Sequence, residues 1–262
     1  MNEASVLVVT PTLGTRQSLA QTILSVRLYG GSMVSHVLVG PSSTLDAYQK
    51  AYPWLTILEQ PNTKGVYPAL NHALKTYGNK FPYFAYINDD DCWTEGFTKL
   101  LACLLGNKTI DIVYGRVLYG SIGKPVQKGP YFPIYKWFKF LSSKGIPFIT
   151  QQSIVIKMDL ILRFRGFDES LPLSADSNLW SQVFSSSVKV KSFNLFCSYY
   201  EKEGSERLSF DPKYINLDAN VGGQVRSFEF SPYGWFKIIV YRLFNSPLYL
   251  ERFIKKIFAK LL

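Results

Sequence analysis

Short, unbroken apolar runs alternate with stretches of helical period through the first half of the chain. Val6-Leu7-Val8-Val9 is a run of the kind buried on both faces of a sheet. Leu19, Ile23, Val26 and Leu28 follow at roughly helical spacing, with Ser18 placed to cap them and Gly30-Gly31 to end them. Residues 37–39 predict a second strand, 45–52 a short helix and 55–58 a third strand. Ala69, Leu70, Ala73, Leu74 and Tyr77 mark one face of a helix that Gly78-Asn79-Lys80 terminates. The apolar run from Tyr83 then reads as a buried strand, and Phe97, Leu100, Leu101, Leu104 and Leu105 as the core-facing stripe of a helix. This alternation predicts an α/β fold: a mainly parallel sheet with helices on both faces.

The second half is less regular. Residues 110–114 and 116–118 suggest a further strand. Between 119 and 147 glycines and prolines break any period, while Tyr131, Phe132, Tyr135, Trp137, Phe138 and Phe140 crowd the same segment. Two readings stand, a mobile substrate loop and an irregular packed excursion. Residues 154–156 read as a strand. Leu179, Trp180, Val183 and Phe184 suggest a helix begun near Ala175, and 188–196 a late strand. From Tyr233 onward the chain is apolar and basic: Lys237, Arg242, Arg252, Lys255, Lys256 and Lys260 oppose the single acid Glu251. Phe253, Ile254, Ile257, Phe258, Leu261 and Leu262 fall at helical spacing. That pattern suits an amphipathic helix at a membrane interface, or a helix docked on the domain with its lysines in water.

A length of 262 residues allows one large α/β domain or one domain with a small appendage. The net charge of +10 favours phosphorylated ligands, polyanions or an anionic membrane surface. No nucleic-acid-binding motif accompanies the charge, so no nucleic acid is expected as partner. Cys92, Cys103 and Cys197 lack metal-ligand spacing and fit a reducing compartment. The N-terminus lacks the basic region and cleavage site of a signal peptide, and no apolar run approaches the ~18 residues of a spanning helix. The expected location is cytoplasmic, at the inner face of the membrane.

The strand from Tyr83 ends in Asp89-Asp90-Asp91. Adjacent carboxylates repel, and burying them unpaired is expensive. Either they form a solvated acidic turn or they hold a cation. Oxygen ligands at a strand's C-terminal end suit Mn²⁺ or Mg²⁺, with substrate phosphates completing the shell.

The order of motifs resembles glycosyltransferase family 2, the GT-A fold, in its bacterial polysaccharide-building type. Val8-Val9-Thr10-Pro11-Thr12 resembles the family's first strand and nucleotide loop. Lys64-Gly65-Val66-Tyr67-Pro68-Ala69-Leu70-Asn71-His72-Ala73-Leu74 resembles the helix before its acidic motif, and Tyr86-Ile87-Asn88-Asp89-Asp90-Asp91 that motif itself. Thr150-Gln151-Gln152-Ser153, Arg165-Gly166-Phe167-Asp168-Glu169-Ser170-Leu171 and Ala175-Asp176-Ser177-Asn178-Leu179-Trp180 resemble the acceptor half.

The resemblance implies inverting transfer of a sugar from a nucleotide-sugar donor to a saccharide or polyprenyl-diphosphate-linked acceptor; the basic, apolar C-terminal segment adds the expectation of peripheral membrane contact. The resemblance also implies a nucleotide-sugar half over residues 1–118 and an acceptor half over 119–200; residues 201–262 read from their own pattern as an extension with basic amphipathic helices. Asp176 falls at the family's catalytic base, with a helix N-cap as its plain structural alternative. Asp90 and Asp91 fall at the metal. Thr10, Pro11, Thr12, Lys64, Asn71 and Asp89 fall on the nucleotide side, and Gln151, Gln152 and Trp180 on the acceptor side. Several positions depart from the pattern. Gly40 stands where the second strand usually ends in an acid, Pro68 where an acid is frequent, and Asn88 for a frequent first aspartate. Gln151 stands where histidine is common, and Asn178 replaces an aspartate. The rival reading is a non-catalytic nucleotide-sugar-binding or scaffold member of the same fold.

Overall fold

The computed structural model describes residues 4–60, 65–120, 127–146, 148–201 and 231–261, with side chains in the last helix described as far as Ile254. The sheet is mixed, in the order β3-β2-β1-β4-β8-β6-β9-β5. Its parallel half is β1 (Val6–Pro11), β2 (Val34–Gly40), β3 (Thr56–Glu59) and β4 (Tyr83–Tyr86). β5 (Cys92–Trp93), β6 (Ile112–Tyr119), β7 (Gln127–Lys128), β8 (Ile154–Lys157) and β9 (Val190–Tyr200) make the other half. There β8 runs antiparallel to both β4 and β6, while β6 and β9 run parallel.

Every residue of β1 is buried because helices cover both faces. Val6 and Val8 look to one side, with α1 (Leu19–Gly30) and α4 (Glu95–Gly106); their partners there include Val26, Phe97, Leu100, Leu101 and Leu104. Leu7 and Val9 look to the other, where α3 (Val66–Tyr77) and α7 (Ala175–Ser185) contribute Leu70, Ala73, Leu179 and Val183. This is the strict alternation of a strand, with both sides apolar. A smaller cluster of Leu19, Ile23, Leu38 and Leu45 seats α2 (Ser42–Ala51).

Several boundaries differ from the sequence reading. α2 begins at Ser42, three residues before its first apolar position, because polar first-turn residues leave no periodic mark. Residues 112–119 form one strand, whose register slips around Gly115 and Arg116. The short helix α6 (Met158–Arg163) was not expected; it is about a turn and a half long, too short for a period to show.

The aromatic segment is a packed excursion among its described residues. Phe132 is 1% exposed and meets Phe148, Tyr241 and Phe244 at ring separations of 5.5, 5.3 and 5.6 Å. Phe138 and Leu141 of α5 (Phe138–Ser143) are fully buried beside it. Tyr241 comes from α8 (Pro232–Phe244), so this C-terminal helix packs into the main core. Phe132→Ala should cost about 3–5 kcal/mol, as for other large aromatic truncations in cores. Chemical unfolding measures it, and a loss below about 1 kcal/mol would mean the excursion is loosely packed.

Candidate active site

β1 and β4 are parallel neighbours in register from Val6↔Tyr83 to Val9↔Tyr86, so the loops that follow them leave the same end of the sheet. Thr12 Oγ1 donates to Asp89 Oδ2 at 2.6 Å. Arg16 hydrogen-bonds Asp90 Oδ2 and lies 3.4 Å from Asp89 Oδ1, so one guanidinium spans two carboxylates. Asp91 is buried, and its Oδ1 accepts from the Glu201 backbone N–H at 3.1 Å.

α1 fixes the backbone of this turn. Ser18 Oγ donates to the Asp89 carbonyl at 3.0 Å, Thr22 Oγ1 donates to the Asp91 carbonyl at 2.7 Å, and Ser25 Oγ accepts from Trp93 N–H at 3.0 Å. The spacing i, i+4, i+7 puts the three hydroxyls on one helix face. Ser18 therefore does not cap α1 with its side chain, as the sequence suggested; its hydroxyl serves the acidic turn. Burial raises the Asp89 pKa, while the Thr12 hydrogen bond and the Arg16 charge pull it down.

Asp176 sits in the first turn of α7, two positions after the capping residue Ser174. Its Oδ1 accepts from Ser177 N–H at 2.7 Å and from the Tyr67 hydroxyl at 3.2 Å. The Tyr86 hydroxyl bonds the same carboxyl group. The residue is half-buried, and desolvation raises its pKa against these hydrogen bonds. Tyr86 stands three residues before Asp89 on the acidic strand and feels the charge of both Asp176 and Asp91. It ties the two carboxylate centres to one strand.

Asn71 positions the wall beside Asp176. Its Nδ2 donates to the Phe167 carbonyl and to Glu169 Oε1, both at 2.8 Å, and its Oδ1 accepts from Phe167 N–H at 2.9 Å. Gly166 allows this approach: it has φ +77°, and a Cβ there would lie 2.5 Å from Asn71 Oδ1. Phe167 then stacks on Tyr67 at 5.6 Å and meets Tyr86 edge-on at 5.5 Å.

The other expected residues divide. Thr10 is fully buried and bonds His36 Nε2 at 2.9 Å through Oγ1; burial holds the His36 pKa down at about 3. Thr10 therefore offers its hydroxyl to the fold, and Pro11 is buried within β1. Lys64 lies outside the described residues. Gln151 is 9% exposed, Gln152 is fully buried, and Trp180 is 1% exposed with its ring edge-on to Phe167. Neither Gln152 nor Trp180 presents a surface to a sugar here. Trp180 follows Asp176 by one helical turn and so shares its inward face.

Arg16, Tyr67 and Tyr86 were missed. Tyr67 precedes Asn71 by four residues on α3, which was the available signal; a lone arginine in a turn gave none. The absent acid at Gly40 has a steric reason. A Cβ there would lie 1.9 Å from the Thr12 carbonyl oxygen, so the loop bearing Thr12 occupies the space a side chain would need. A cavity of about 740 Å³ opens among Ser5, Met33, Tyr83 and Lys157, at the end where the parallel strands begin and away from the acids.

The donor set fits a divalent cation. Asp89 and Asp90 already embrace one positive charge, and carboxylate oxygens suit Mn²⁺ or Mg²⁺. No group of three or more histidine, cysteine or acidic side chains forms a metal cage among the described residues. The protein would thus give few ligands and leave the rest to phosphate and water, the usual Mg²⁺ arrangement.

Solved structures with the same architecture are GT-A glycosyltransferases. S. aureus TarS 1-349 in complex with UDP-GlcNAc matches at a TM-score of 0.65 and 13% identity, over 87% of this chain and 68% of that one. The mannosyltransferase PcManGT from Pyrobaculum calidifontis, in complex with GDP-Man and Mn²⁺, matches at 0.59 and 14%, over 92% and 70%. Against a longer TarS structure the match covers 94% of this chain and 47% of that one, at 0.60 and 15%. At such identities the likeness establishes the fold alone. No curated protein matches by sequence. The model of glycosyl transferase family 2 matches residues 7–165, well over half of the chain, and the protein belongs to that family.

The raised pKa of Asp176 carries a stability consequence. Folding favours its protonated form, so its contribution is most favourable below the ordinary carboxylate pKa and is lost as pH rises through the folded value. Asp176→Asn should therefore raise the melting temperature at neutral pH, with the gain shrinking as pH falls into the carboxylate range. Melting curves of both proteins across pH test it, and a gain that grows toward acid would contradict it.

Proposed function

We propose that the protein is an inverting glycosyltransferase. It moves a sugar from a nucleotide-sugar to a saccharide or polyprenyl-diphosphate-linked acceptor in cell-surface polysaccharide synthesis. The observation that carries this reading is the pairing of one desolvated carboxylate, Asp176, with a separate acidic turn, the two linked through Tyr86. Single-displacement transfer needs both. Asp176 takes the acceptor hydroxyl proton as that oxygen bonds to the anomeric carbon. The bond from the anomeric carbon to the diphosphate breaks on the opposite face, and the nucleoside diphosphate leaves. A base of this kind contributes typically 10²–10⁴-fold. A raised pKa makes Asp176 a stronger proton acceptor than a solvated carboxylate.

Asp90 and Asp89 would hold a divalent cation, which supplies positive charge to the departing diphosphate. Asp91, buried against Glu201, supports the turn from beneath. Thr12 orients Asp89, and the loop from Leu13, partly exposed, would meet the nucleotide. Asn71 acts as a positioning residue through Phe167 and Tyr67.

Thermal stabilisation by nucleoside diphosphates should require Mn²⁺ or Mg²⁺, and Asp90→Ala should abolish the requirement together with the binding. Asp176→Asn should keep that stabilisation and lose about 10²–10⁴-fold in kcat. Binding that survives alongside wild-type turnover of zero on a broad donor and acceptor panel would favour a scaffold role. Equal nucleotide binding with and without metal would sink the assignment of Asp90.

The Tyr67 hydroxyl bond lowers the Asp176 pKa. Tyr67→Phe should therefore move the acid limb of the kcat/KM profile to higher pH. A lower plateau with an unmoved limb would assign Tyr67 to packing only.

A further inference from the structure

The two C-terminal helices have an inner side that is firmly attached and an outer side that is apolar. α8 is anchored by Tyr241, 1% exposed in the Phe132 cluster. Asn245, at the corner before α9 (Ser246–Leu261), accepts from Tyr131 N–H at 3.1 Å. α9 is held by buried Leu248, by a 3.0 Å ion pair between Glu251 and Lys128, and by Arg252 donating to the Lys128 carbonyl at 2.7 Å. On the outer side Ile239 and Leu243 of α8 are 53% and 67% exposed, and Leu250 and Phe253 of α9 are 59% and 61% exposed. Within each helix these residues lie one turn apart or nearly so, giving two apolar stripes on consecutive helices. Single exposed apolar residues are ordinary, but a grouped set on a fixed hairpin marks an interaction surface.

We propose that this hairpin is a docking surface for an anionic lipid bilayer and that it holds the acidic turn toward the membrane. Charge selects the partner. The segment from Tyr233 carries six lysines and arginines against Glu251 alone, and Glu251 already faces Lys128. Two copies meeting through such a surface would bring like charges together, whereas an anionic headgroup layer neutralises them while the apolar side chains enter the interface. Position gives the docking its use. Lys128 pairs with Leu118, near the C-terminal end of β6. β6 runs parallel to β9, and the backbone N–H of Glu201, just past β9, binds Asp91. The hairpin is thus fastened at the end of the sheet where the acidic turn emerges. Presentation of a lipid-linked acceptor rests on the transferase reading; attachment to the bilayer does not.

The test uses the full chain and no substrate, so its result is independent of turnover. Vesicles of phosphatidylcholine alone, and with about a third phosphatidylglycerol, are floated with the protein at low and high salt. The chain should float with the anionic vesicles, weakly with the neutral ones, and less at high salt. Leu243→Glu combined with Leu250→Glu should weaken anionic-vesicle binding by at least about tenfold, since each change both removes apolar contact and adds repulsion. The variant should keep the wild-type melting temperature and nucleoside diphosphate binding. Failure of the wild type to float overturns the proposal. So does equal flotation with neutral vesicles, or a wild-type dimer in solution that the double variant dissolves, which would assign the surface to a second copy.

Discussion

Three carboxylates in sequence cannot sit at the end of a buried strand unless something separates and neutralises them. The protein gives each a different environment. Asp91 is buried and takes a backbone N–H from Glu201, Asp89 takes the Thr12 hydroxyl, and Asp90 takes the Arg16 guanidinium. The partners come from the loop after β1 and from the end of β9, so the turn can form only once β1 has paired with β4 and β9 has joined the far half of the sheet. Ser18, Thr22 and Ser25 then pin its backbone from α1. A local acidic motif is in this way made a property of the whole sheet.

The second carboxylate centre follows a different logic. Burial raises the pKa of Asp176, while the hydroxyls of Tyr67 and Tyr86 and the Ser177 N–H pull it back down; among the described residues these hydroxyl and N–H donors are its hydrogen-bond partners. An arginine or lysine there would pair with it and make it a weak base. The arrangement keeps a carboxylate at the cost of stability, the exchange expected where chemistry outranks packing. Asn71 and Gly166 serve this wall at one remove, since they fix the loop that carries Phe167.

Much of this was legible in the residues. The β1, α1, β2 and α4 patterns are strongly periodic because both faces of the parallel half are buried, and Asp89, Asp90 and Asp176 stood out through spacing and family resemblance. What stayed hidden depends on non-local pairing. Nothing in the string says that Arg16 reaches 74 positions ahead to Asp90, or that Tyr67 reaches Asp176 across 109. Thr10 and Thr12 look equivalent on paper, yet Thr10 lies within β1 and turns its hydroxyl to His36, while Thr12 lies past the strand's end and reaches Asp89. Trp180 and Gln152 read as sugar-binding types, but burial is set by neighbours that a residue's type does not reveal. The aromatic run around Phe132 could be resolved only by seeing Tyr241 arrive from more than a hundred residues away.

Arg16 joins the two requirements of the acidic turn. Without another cation its guanidinium neutralises Asp89 and Asp90, and desolvation disfavours the charged form of Asp89. For those oxygens to ligate a divalent ion, Arg16 must give them up, which taxes binding of the ion alone. A diphosphate bound at the same turn would change the balance, because it would offer the displaced guanidinium a new anionic partner. Ion and nucleotide would then each favour the other, as linkage requires when one event removes the cost of the next. Gly14, at φ +76° between Thr12 and Arg16, is where the loop turns to bring the arginine back over the acids. The loop after β1 is therefore the support of the acidic turn, and on the proposed reading it is also the element that would yield for the turn to take a ligand.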